Sequence, residues 1–203
     1  MISLSHKFIF IHIPKTAGNS IQNALKYYSE DKIVCLTPYQ DGVERFEVRS
    51  DSYNIHKHSC LKEYKKELGE LTFQKMFKFT CVRNPWDRMI SFFFSPHRGI
   101  VKWDKNAFLK FIYNVKPINY YLSLSDDNIN DQEQFKNVDM YLRFENIDSD
   151  FAIWCSKFGI PCRQLSIRNK SVRKDYREYY DTELIKLVQN RFSMEIEYFG
   201  YQF

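Results

Sequence analysis

A run of basic, small and hydroxyl-bearing residues follows the first apolar segment of the chain. In the sequence FIFIHIPKTAGNSI it comprises Lys15, Thr16, Ala17, Gly18, Asn19 and Ser20. A helix that starts at such a point exposes unpaired N–H groups and carries about half a positive charge at its N-terminus. Small residues allow those amides to approach an anion, the lysine adds a full charge, and the hydroxyl and amide side chains add donors. The stretch is therefore predicted to bind a phosphate or a chemically similar group.

Two other interpretations of residues 15–20 remain. A plain helix cap beside a solvent-exposed lysine would use the same residue types, although it would leave the crowding of polar groups unexplained. The phosphate-binding loop of P-loop kinases and NTPases reads G-x-x-x-x-G-K-S/T, with the lysine after the glycine. Here Lys15 precedes Gly18, so the order argues against that loop.

A second polar break follows the apolar run FKFTCV, in the sequence CVRNPWDRMIS. Arg83 stands at the carboxyl end of the predicted strand, and Ser91 lies on the helix that follows. The planar guanidinium of arginine suits bidentate phosphate recognition, and a hydroxyl group completes the set. Arg88 has two interpretations: it could contribute to phosphate recognition, or it could simply form an ion pair with Asp87 or another surface acid. Together with residues 15–20, this stretch predicts two anion sites on one face of one sheet, which suits a ligand with two separated acidic groups.

The elements that must position these residues alternate between strands and helices. Apolar, β-branched and aromatic runs predict strands at KFIFIHI, KIVCL (32–36), FKFTCV (77–82) and DMYLRF (139–144). Helical spacing and capping residues predict helices from Asn19, over CLKEYKKELGEL, from the N-cap Asn84, over 107–115, up to Gly159 and from Asp181. The segments at 37–54 and 123–137 are expected to be irregular. This alternation predicts one α/β domain, residues 1–203, with a central parallel sheet flanked by helices and its ligand at the carboxyl ends of the strands.

The bulk properties exclude several classes of protein. The net charge of +5 fits an anionic ligand but, without a recognised fold motif, does not predict nucleic-acid binding. The five cysteines form no C-x-x-C pair and indicate free thiols in a reducing compartment. No integral membrane segment is predicted, because no apolar run reaches about 18 residues, and MISLSHKF is too short and polar for a secretory signal. A cytoplasmic location is expected, although a domain cut from a membrane-anchored parent would look the same.

The two polar stretches, PKTAGNS and RNPWDRMIS, resemble the sulfotransferase family, in particular the branch that sulfates carbohydrate hydroxyls. The similarity continues through KFTCVRNPWDR, FEN at 144–146 and YYDTELIKLV, so it covers most of the chain and is weakest over 37–55. The resemblance implies the P-loop-NTPase-like sulfotransferase fold. It also implies the donor 3′-phosphoadenosine 5′-phosphosulfate (PAPS), with 3′-phosphoadenosine 5′-phosphate (PAP) as product.

Positions shared with the family imply a role for each part of the site. The loop formed by Lys15, Thr16, Ala17, Gly18, Asn19 and Ser20 would bind the 5′-phosphosulfate. Arg83 and Ser91 would bind the 3′-phosphate. Asn19 stands where the family commonly has threonine, but it still supplies a donor. A late loop of the family closes on the nucleotide and would here comprise Asn169, Lys170 and Ser171, with a solvated basic surface as the alternative interpretation of that segment.

Sulfuryl transfer from this donor is an in-line displacement by a hydroxyl, in which positioning and charge stabilisation are expected to supply most of the rate. Lys15 is the predicted contact of the departing oxygen, and a histidine is the expected general base. Related enzymes often carry K-H followed by a small residue, which favours His58 in NIHKHSC, with His56 second. An exposed polar loop and a zinc site formed by His56, His58 and Cys60 are the alternatives, and the transfer scheme needs no metal. His12, inside the first strand, is expected to be a core residue.

The leading hypothesis is a PAPS-dependent sulfotransferase acting on a carbohydrate hydroxyl, with a glycan or glycolipid as acceptor. A P-loop kinase or NTPase is the main enzymatic alternative. It is disfavoured by the order of the loop residues and by the lack of a clear magnesium-binding carboxylate at a strand end. A protein that holds the donor without a catalytic base is the third hypothesis. The acceptor, the position sulfated and the oligomeric state are left open by the sequence.

Overall fold

The computed structural model describes residues 1–37, 45–100, 102–125, 131–167 and 170–203. Its strands are β1 (Ile2–Ser3), β2 (Phe8–Ile11), β3 (Lys32–Thr37), β4 (Arg45–Arg49), β5 (Phe77–Val82) and β6 (Met140–Arg143). Its α-helices are α1 (Gly18–Leu25), α2 (Leu61–Leu68), α3 (Glu70–Gln74), α4 (Pro85–Phe93), α5 (Lys105–Asn114), α6 (Ile118–Leu122), α7 (Ile147–Phe158), α8 (Thr182–Arg191) and α9 (Ser193–Phe199).

The central sheet has the strand order β1-β2-β5-β6. β2, β5 and β6 are parallel, with Ile11 opposite Thr80 and Val82 opposite Arg143, whereas β1 pairs antiparallel with β2 at the edge. Parallel neighbours need a crossover connection, which helices supply on the faces of the sheet. The predicted α/β architecture, with a central, mostly parallel sheet flanked by helices, is confirmed.

The side chains of β2 alternate between two packed faces of the sheet. Phe8 and Phe10 pack in a cluster with α1 and with Trp154 of α7. Ile9 and Ile11 point to the opposite face and pack with α2, α3 and α6. Burying a large apolar side chain contributes about 1.5–3 kcal/mol relative to leaving it exposed. β2 is therefore held from both sides, and the loop that follows it starts from a fixed point.

An aromatic cluster anchors α4 against α5, α8 and α9. The Phe93 ring makes edge-to-face contacts with Phe108 and Phe111, at 5.3 and 5.7 Å between ring centroids. The helix starts as predicted at the N-cap Asn84, whose side chain accepts hydrogen bonds from the N–H groups of Trp86 (3.1 Å) and Asp87 (3.4 Å). The polar break after β5 thus leads into a rigid helix.

Two segments expected to be irregular contain regular structure. Within 37–54, β4 pairs antiparallel with β3 in a separate two-stranded sheet, and residues 38–44 between them lie outside the described part of the chain. Within 123–137, Gln132–Asn137 forms a 3-10 turn that buries Phe135 completely. Pairing and packing with other segments stabilise both elements, and a local sequence pattern does not reveal such partners.

Two glycines determine where helices end. Gly159 has a φ of +61° and ends α7 as predicted. Gly69, with a φ of +74°, ends α2, and the predicted helix likewise ends near this glycine; a second helix, α3, follows it directly. Where the structure is described, no helix is both long enough and apolar enough to cross a membrane.

Candidate functional site

A cavity of about 940 Å³ lies where the loops after β2, β5 and β6 meet. Cavities of roughly 300–1,000 Å³ accommodate small-molecule ligands, and the carboxyl ends of parallel strands are the usual place for them. Most of the residues predicted from the sequence line it: Lys15, Ala17, Gly18, Asn19, Ser20, His58, Arg83, Ser91, Lys170 and Ser171. Tertiary structure thus brings together residues that are spread over most of the chain.

The loop between β2 and α1 has a backbone shaped for an anion. Lys15 and Ala17 both have a φ of +69°, in the left-handed region that residues with a side chain rarely adopt. Each such residue costs on the order of 1–2 kcal/mol and persists only where its surroundings hold it. The Ala17 carbonyl accepts hydrogen bonds from the N–H groups of Ser20 (2.9 Å) and Ile21 (3.2 Å), so α1 begins immediately. Changes of backbone hand of this kind build concave sites lined by N–H groups.

Thr16 does not present its side chain to the cavity, contrary to expectation. Its side chain is fully buried, and its Oγ1 donates a hydrogen bond to the Ile13 carbonyl at 2.9 Å. This bond closes the turn between β2 and α1, so the hydroxyl shapes the loop. Asn19 and Ser20 do line the cavity, as predicted.

Gly18 is required by the side chain of His12. A Cβ atom on Gly18 would lie 1.9 Å from Cδ2 and 2.1 Å from Nε2 of the His12 ring, which is far inside van der Waals contact. His12 is only 3% exposed, in line with the prediction of a core residue, yet it also lines the cavity. Its Nδ1 lies 2.8 Å from Oε1 of Gln22 on α1.

Arg83 connects the loop after β5 with the loop after β2. Its Nη1 donates to the Lys15 carbonyl (3.1 Å) and to Oγ of Ser91 (3.2 Å). Its Nε and Nη2 bind the Asp87 carboxylate at 2.8 and 2.6 Å. The guanidinium lies 3.7 Å above the Phe144 ring, a cation–π arrangement. The predicted pair of Arg83 and Ser91 is thus assembled next to the first loop.

The ammonium group of Lys15 lies among other cations. Burial lowers its pKa to about 8, and the nearby charges of Arg83, Arg173 and Lys57 act in the same direction. A bound anion would counteract the effect of burial by attracting the ammonium group, and it would neutralise the surrounding positive charge. The cost of keeping Lys15 charged in this position favours a negatively charged ligand.

His58 is oriented by a backbone carbonyl. Its Nδ1 lies 2.9 Å from the carbonyl oxygen of His12, which can only accept a hydrogen bond, so Nδ1 carries the proton and Nε2 keeps its lone pair. Its ring lies edge-on to the His12 ring, with 4.5 Å between centroids. The residue is exposed in part, and burial of the remainder lowers the pKa of His58 to about 4. The hydrogen bond to the His12 carbonyl acts against this shift, and Lys57 adds to it. A neutral imidazole with an available lone pair can accept a proton.

His56 lies outside the cavity, unlike His58. Its side chain is exposed, and its backbone N–H donates to Oγ of Ser59 at 3.0 Å in a tight turn. Cys60 is buried in the core, where its N–H is capped by Glu63 at 2.6 Å. Within the described residues, no group of three potential ligands that could hold a metal ion is found. The H-x-H-x-C pattern therefore separates into side chains with different surroundings.

The late basic segment lies beside the cavity. Lys170 is exposed and Ser171 is 8% exposed, and both line the cavity, while Asn169 lies outside the described residues. Nε of Arg173 donates to Oγ of Ser171 at 3.2 Å, and its Nη2 forms an ion pair with Asp87, the same carboxylate that holds Arg83. Asp87 therefore links this segment to the loop after β5.

Arg88 is a buried brace and does not line the cavity. Its side chain is fully enclosed, and Nη1 pairs with Oε1 of Glu195 on α9 at 3.2 Å. Nε donates to the carbonyl of Pro14 (3.3 Å) and Nη2 to that of Lys116 (3.0 Å). Arg88 therefore pairs with a buried acid on α9 and not with Asp87 or another surface acid, as one interpretation of the sequence expected.

The charges around the cavity favour an anionic ligand. Among the described lining residues, the acidic ones are Asp148 and Asp175, and the basic ones are Lys15, Lys57, Arg83, Arg98, Lys170, Arg173 and Lys174. Several further lining residues were missed from the sequence: Lys57, Tyr121, Phe144, Asp148 and Leu165. Of these, Lys57 had a local signal in its place beside His58, and Phe144 had one in the FEN motif at 144–146. The rest reach the cavity through packing.

The sulfotransferase family profile matches residues 1–202, almost the whole chain. No curated protein and no solved structure matches the sequence. The match spans the loops after β2 and β5, the three parallel strands that position them and the late basic segment. The chain therefore belongs to the sulfotransferase family.

Proposed function

We propose that this sulfotransferase moves the sulfuryl group of PAPS to a carbohydrate hydroxyl, on a glycan or glycolipid acceptor. The observation that carries the proposal is the hydrogen bond of 3.1 Å from Nη1 of Arg83 to the Lys15 carbonyl. It joins two anion-binding loops at one cavity, as a donor with a 5′-phosphosulfate and a 3′-phosphate requires. A ligand with a single anionic group would leave one of the two loops unused.

The residues present suit each end of this donor. At the 5′ end, Lys15, Gly18, Asn19 and Ser20 line the cavity at the start of α1, where a helix leaves N–H groups for an anion. At the 3′ end, the Ser91 hydroxyl already accepts a hydrogen bond from Arg83, so its own proton is available for a phosphate oxygen. Lys170 and Ser171 lie where they could cover the nucleotide.

His58 serves as the general base in this proposal. Its Nε2 lone pair takes the proton of the acceptor hydroxyl while the new bond forms between the acceptor oxygen and sulfur. The bond between sulfur and the bridging oxygen of the 5′-phosphate breaks, and that oxygen leaves with the electron pair on PAP. Lys15 stabilises the charge that develops there. A negative ligand in the cavity would raise the pKa of His58 from about 4 towards neutrality, which improves its match to the reaction.

Calorimetric titration with PAP tests donor binding without knowledge of the acceptor. We expect magnesium-independent binding that weakens about 10- to 100-fold in Lys15→Ala and in Arg83→Ala, since a hydrogen bond to a charged group contributes roughly 1.5–3 kcal/mol. Lys105→Ala is the matched control, because Lys105 is an exposed partner of Asp181 and Glu183.

Two results would contradict the proposal. Binding of magnesium ATP with no response to PAP would indicate a kinase or NTPase within the same architecture. Tight PAP binding without any turnover of PAPS in the wild type, at any acceptor offered, would favour a protein that holds the donor but does not transfer it. With an acceptor that the wild type does sulfate, His58→Gln should lose turnover whereas His56→Gln should keep it.

A further inference from the structure

His12 is enclosed by parts of the site that would hold opposite ends of the reaction. Its ring covers Gly18, the first residue of α1, at the phosphate-binding loop. On another side it meets the ring of His58, 4.5 Å away between centroids. Phe10 stacks on it from the sheet, at 6.1 Å and 26° between ring planes. A group that contacts this ring from the cavity would therefore lie between the loop at residues 15–20 and His58.

The two ring nitrogens of His12 differ in their surroundings. Nδ1 is bound to the side-chain amide of Gln22 at 2.8 Å. In the described part of the chain, Nε2 has no hydrogen-bond partner, and it is not among the fully enclosed side-chain atoms that lack one, which are Gln22 Nε2 and Trp154 Nε1. Since His12 lines the cavity, Nε2 is the atom that keeps access to it.

The amide of Gln22 determines which nitrogen of His12 carries the proton. Gln22 is fully buried, and with Oε1 on His12 its NH2 group has no partner. The oxygen and nitrogen of a side-chain amide can be exchanged by rotating it by half a turn. In that orientation the NH2 group donates to Nδ1 of His12, and the proton of the imidazole moves to Nε2. The NH2 group then has a partner in Nδ1, Oε1 takes its former place, and an N–H group of His12 faces the cavity.

The position of Nε2 at the start of α1 favours the same arrangement. A lone pair directed at an anion would be repelled, whereas an N–H group is attracted. Burial, His58 and Lys57 all lower the pKa of His12 well below its ordinary value, so the ring carries one proton and the tautomer decides what it offers. A neutral imidazole beside a helix N-terminus can act as a hydrogen-bond donor to a reacting group.

We propose that His12 is a second catalytic histidine, whose Nε2–H group donates a hydrogen bond to an oxygen of the transferred sulfuryl group. Gln22 is its positioning residue, because the amide holds Nδ1 without a proton. The two histidines then have opposite roles: His58 accepts the acceptor's proton, and His12 holds the group that moves. This inference rests on the proposed function.

Nitrogen-15 NMR of the full chain with labelled histidine reads the tautomer directly. We expect His12 to be protonated at Nε2 in the ligand-free protein, and its Nε2 signal to shift when PAPS is added. A proton found on Nδ1 would overturn the inference with or without ligand binding. His56, exposed and outside the cavity, provides the reference signal.

Variants separate a catalytic role from a structural one. His12→Phe keeps a flat ring above Gly18 but removes the donor, so we expect turnover of PAPS to PAP, with water as acceptor, to fall about 100- to 1,000-fold. Affinity for PAP, which lacks the sulfuryl group, should change less than about threefold, in keeping with a contact made only to that group.

His12→Gln places an amide nitrogen near the position of Nε2 and should restore part of the turnover. In Gln22→Met no amide fixes the proton of His12, so both of its tautomers should appear in the NMR spectrum. Turnover should fall in proportion to the fraction protonated at Nδ1. Lys105→Ala, an exposed site away from the cavity, is the control with unchanged turnover.

The failures of the two proposals are distinguishable. Unchanged turnover in His12→Phe, or PAP affinity that falls by the same factor as turnover, would overturn the role of His12 and leave the sulfotransferase proposal intact. Absence of PAP binding in the wild type would overturn the choice of donor, and the assignment of a sulfuryl contact to His12 with it. Thermal unfolding of each variant verifies that the fold persists.

Discussion

Lys15 combines a strained backbone with an unfavourably placed charge. Its φ of +69° is rare for a residue with a side chain, and burial together with Arg83 and Arg173 lowers its pKa to about 8. Deviations of this kind are concentrated at functional sites, where a ligand offsets their cost. At the scale of single residues, these two features support the proposal that the site binds an anion.

The lowered pKa of Lys15 predicts a pH-dependent affinity for PAP. Below about pH 8 the ammonium is present in the free protein, and above it the charge is progressively lost. A bound anion raises the pKa, so affinity should be level from pH 7 to about 8 and then fall by up to tenfold per pH unit. Calorimetric titrations between pH 7 and 10 measure this decline.

Lys15→Arg is the matched variant for this measurement. Arginine remains charged throughout the range, so its affinity for PAP should stay level up to pH 10 even if it binds less tightly. A decline of the same steepness in this variant would show that another group is responsible.

The start of helix α1 is fixed by a backbone carbonyl and by a contact with the His12 ring. The Ala17 carbonyl starts the helix by accepting the N–H groups of Ser20 and Ile21, and Gly18 leaves room for His12. On its buried face α1 packs with Ile21 and Leu25 against β2, so its N-terminus cannot move independently of the sheet. The position of the N-terminus of α1 is therefore set by packing on both sides.

Gly18→Ala tests this tight contact. Its Cβ would lie 1.9 Å from the His12 ring, which Phe10 and His58 hold in place, so one of these groups must shift. Overpacking of this kind costs typically 1–3 kcal/mol, and we expect that loss in chemical denaturation together with PAP affinity at least tenfold weaker. Asn23→Ala, in the same helix without such a contact, should leave both quantities nearly unchanged. Wild-type affinity in Gly18→Ala would show that the ring can move freely.

At the scale of the whole molecule, Arg88 connects four separate parts of the chain. From α4 it binds the carbonyl before Lys15, the carbonyl of Lys116 and the Glu195 carboxylate on α9. Oε2 of Glu195 accepts in turn from the N–H of Ile118 at 2.8 Å. Burial raises the pKa of Glu195, and the charge of Arg88 counteracts this effect. Arg88 thus ties the loop after β2 to the C-terminal helix α9 through one hydrogen bond and one buried ion pair.

Removing one partner of this pair should be more harmful than removing both. Arg88→Met leaves a buried carboxylate without its cation, and we expect the free energy of unfolding to fall by about 3–5 kcal/mol in urea denaturation. The double variant Arg88→Met with Glu195→Leu should lose clearly less, since no charge then remains buried. A double variant as unstable as the sum of the two single ones would contradict this account.

The local features of the chain could be predicted from its residues. The strand, polar loop and helix around residues 15–20, the N-cap at Asn84 and the α/β class each depend on neighbours within about ten positions, where side-chain type and spacing act directly. The placement of Arg83 and Ser91 together follows from one helix and its preceding strand end. For the same reason most of the predicted site residues do line the cavity.

Contacts between distant segments were decided by the tertiary structure alone. His58 is selected over His56 by the carbonyl of His12, 46 positions away. Arg173 reaches Asp87 across 86 positions, and Arg88 reaches Glu195 across 107. These pairings depend on strand register and helix packing, which bring together residues whose own neighbours carry no sign of the partner. The residue types of the two loops are thus determined locally, whereas the orientation of His58 and the bracing of the cavity arise only when the sheet and its helices assemble.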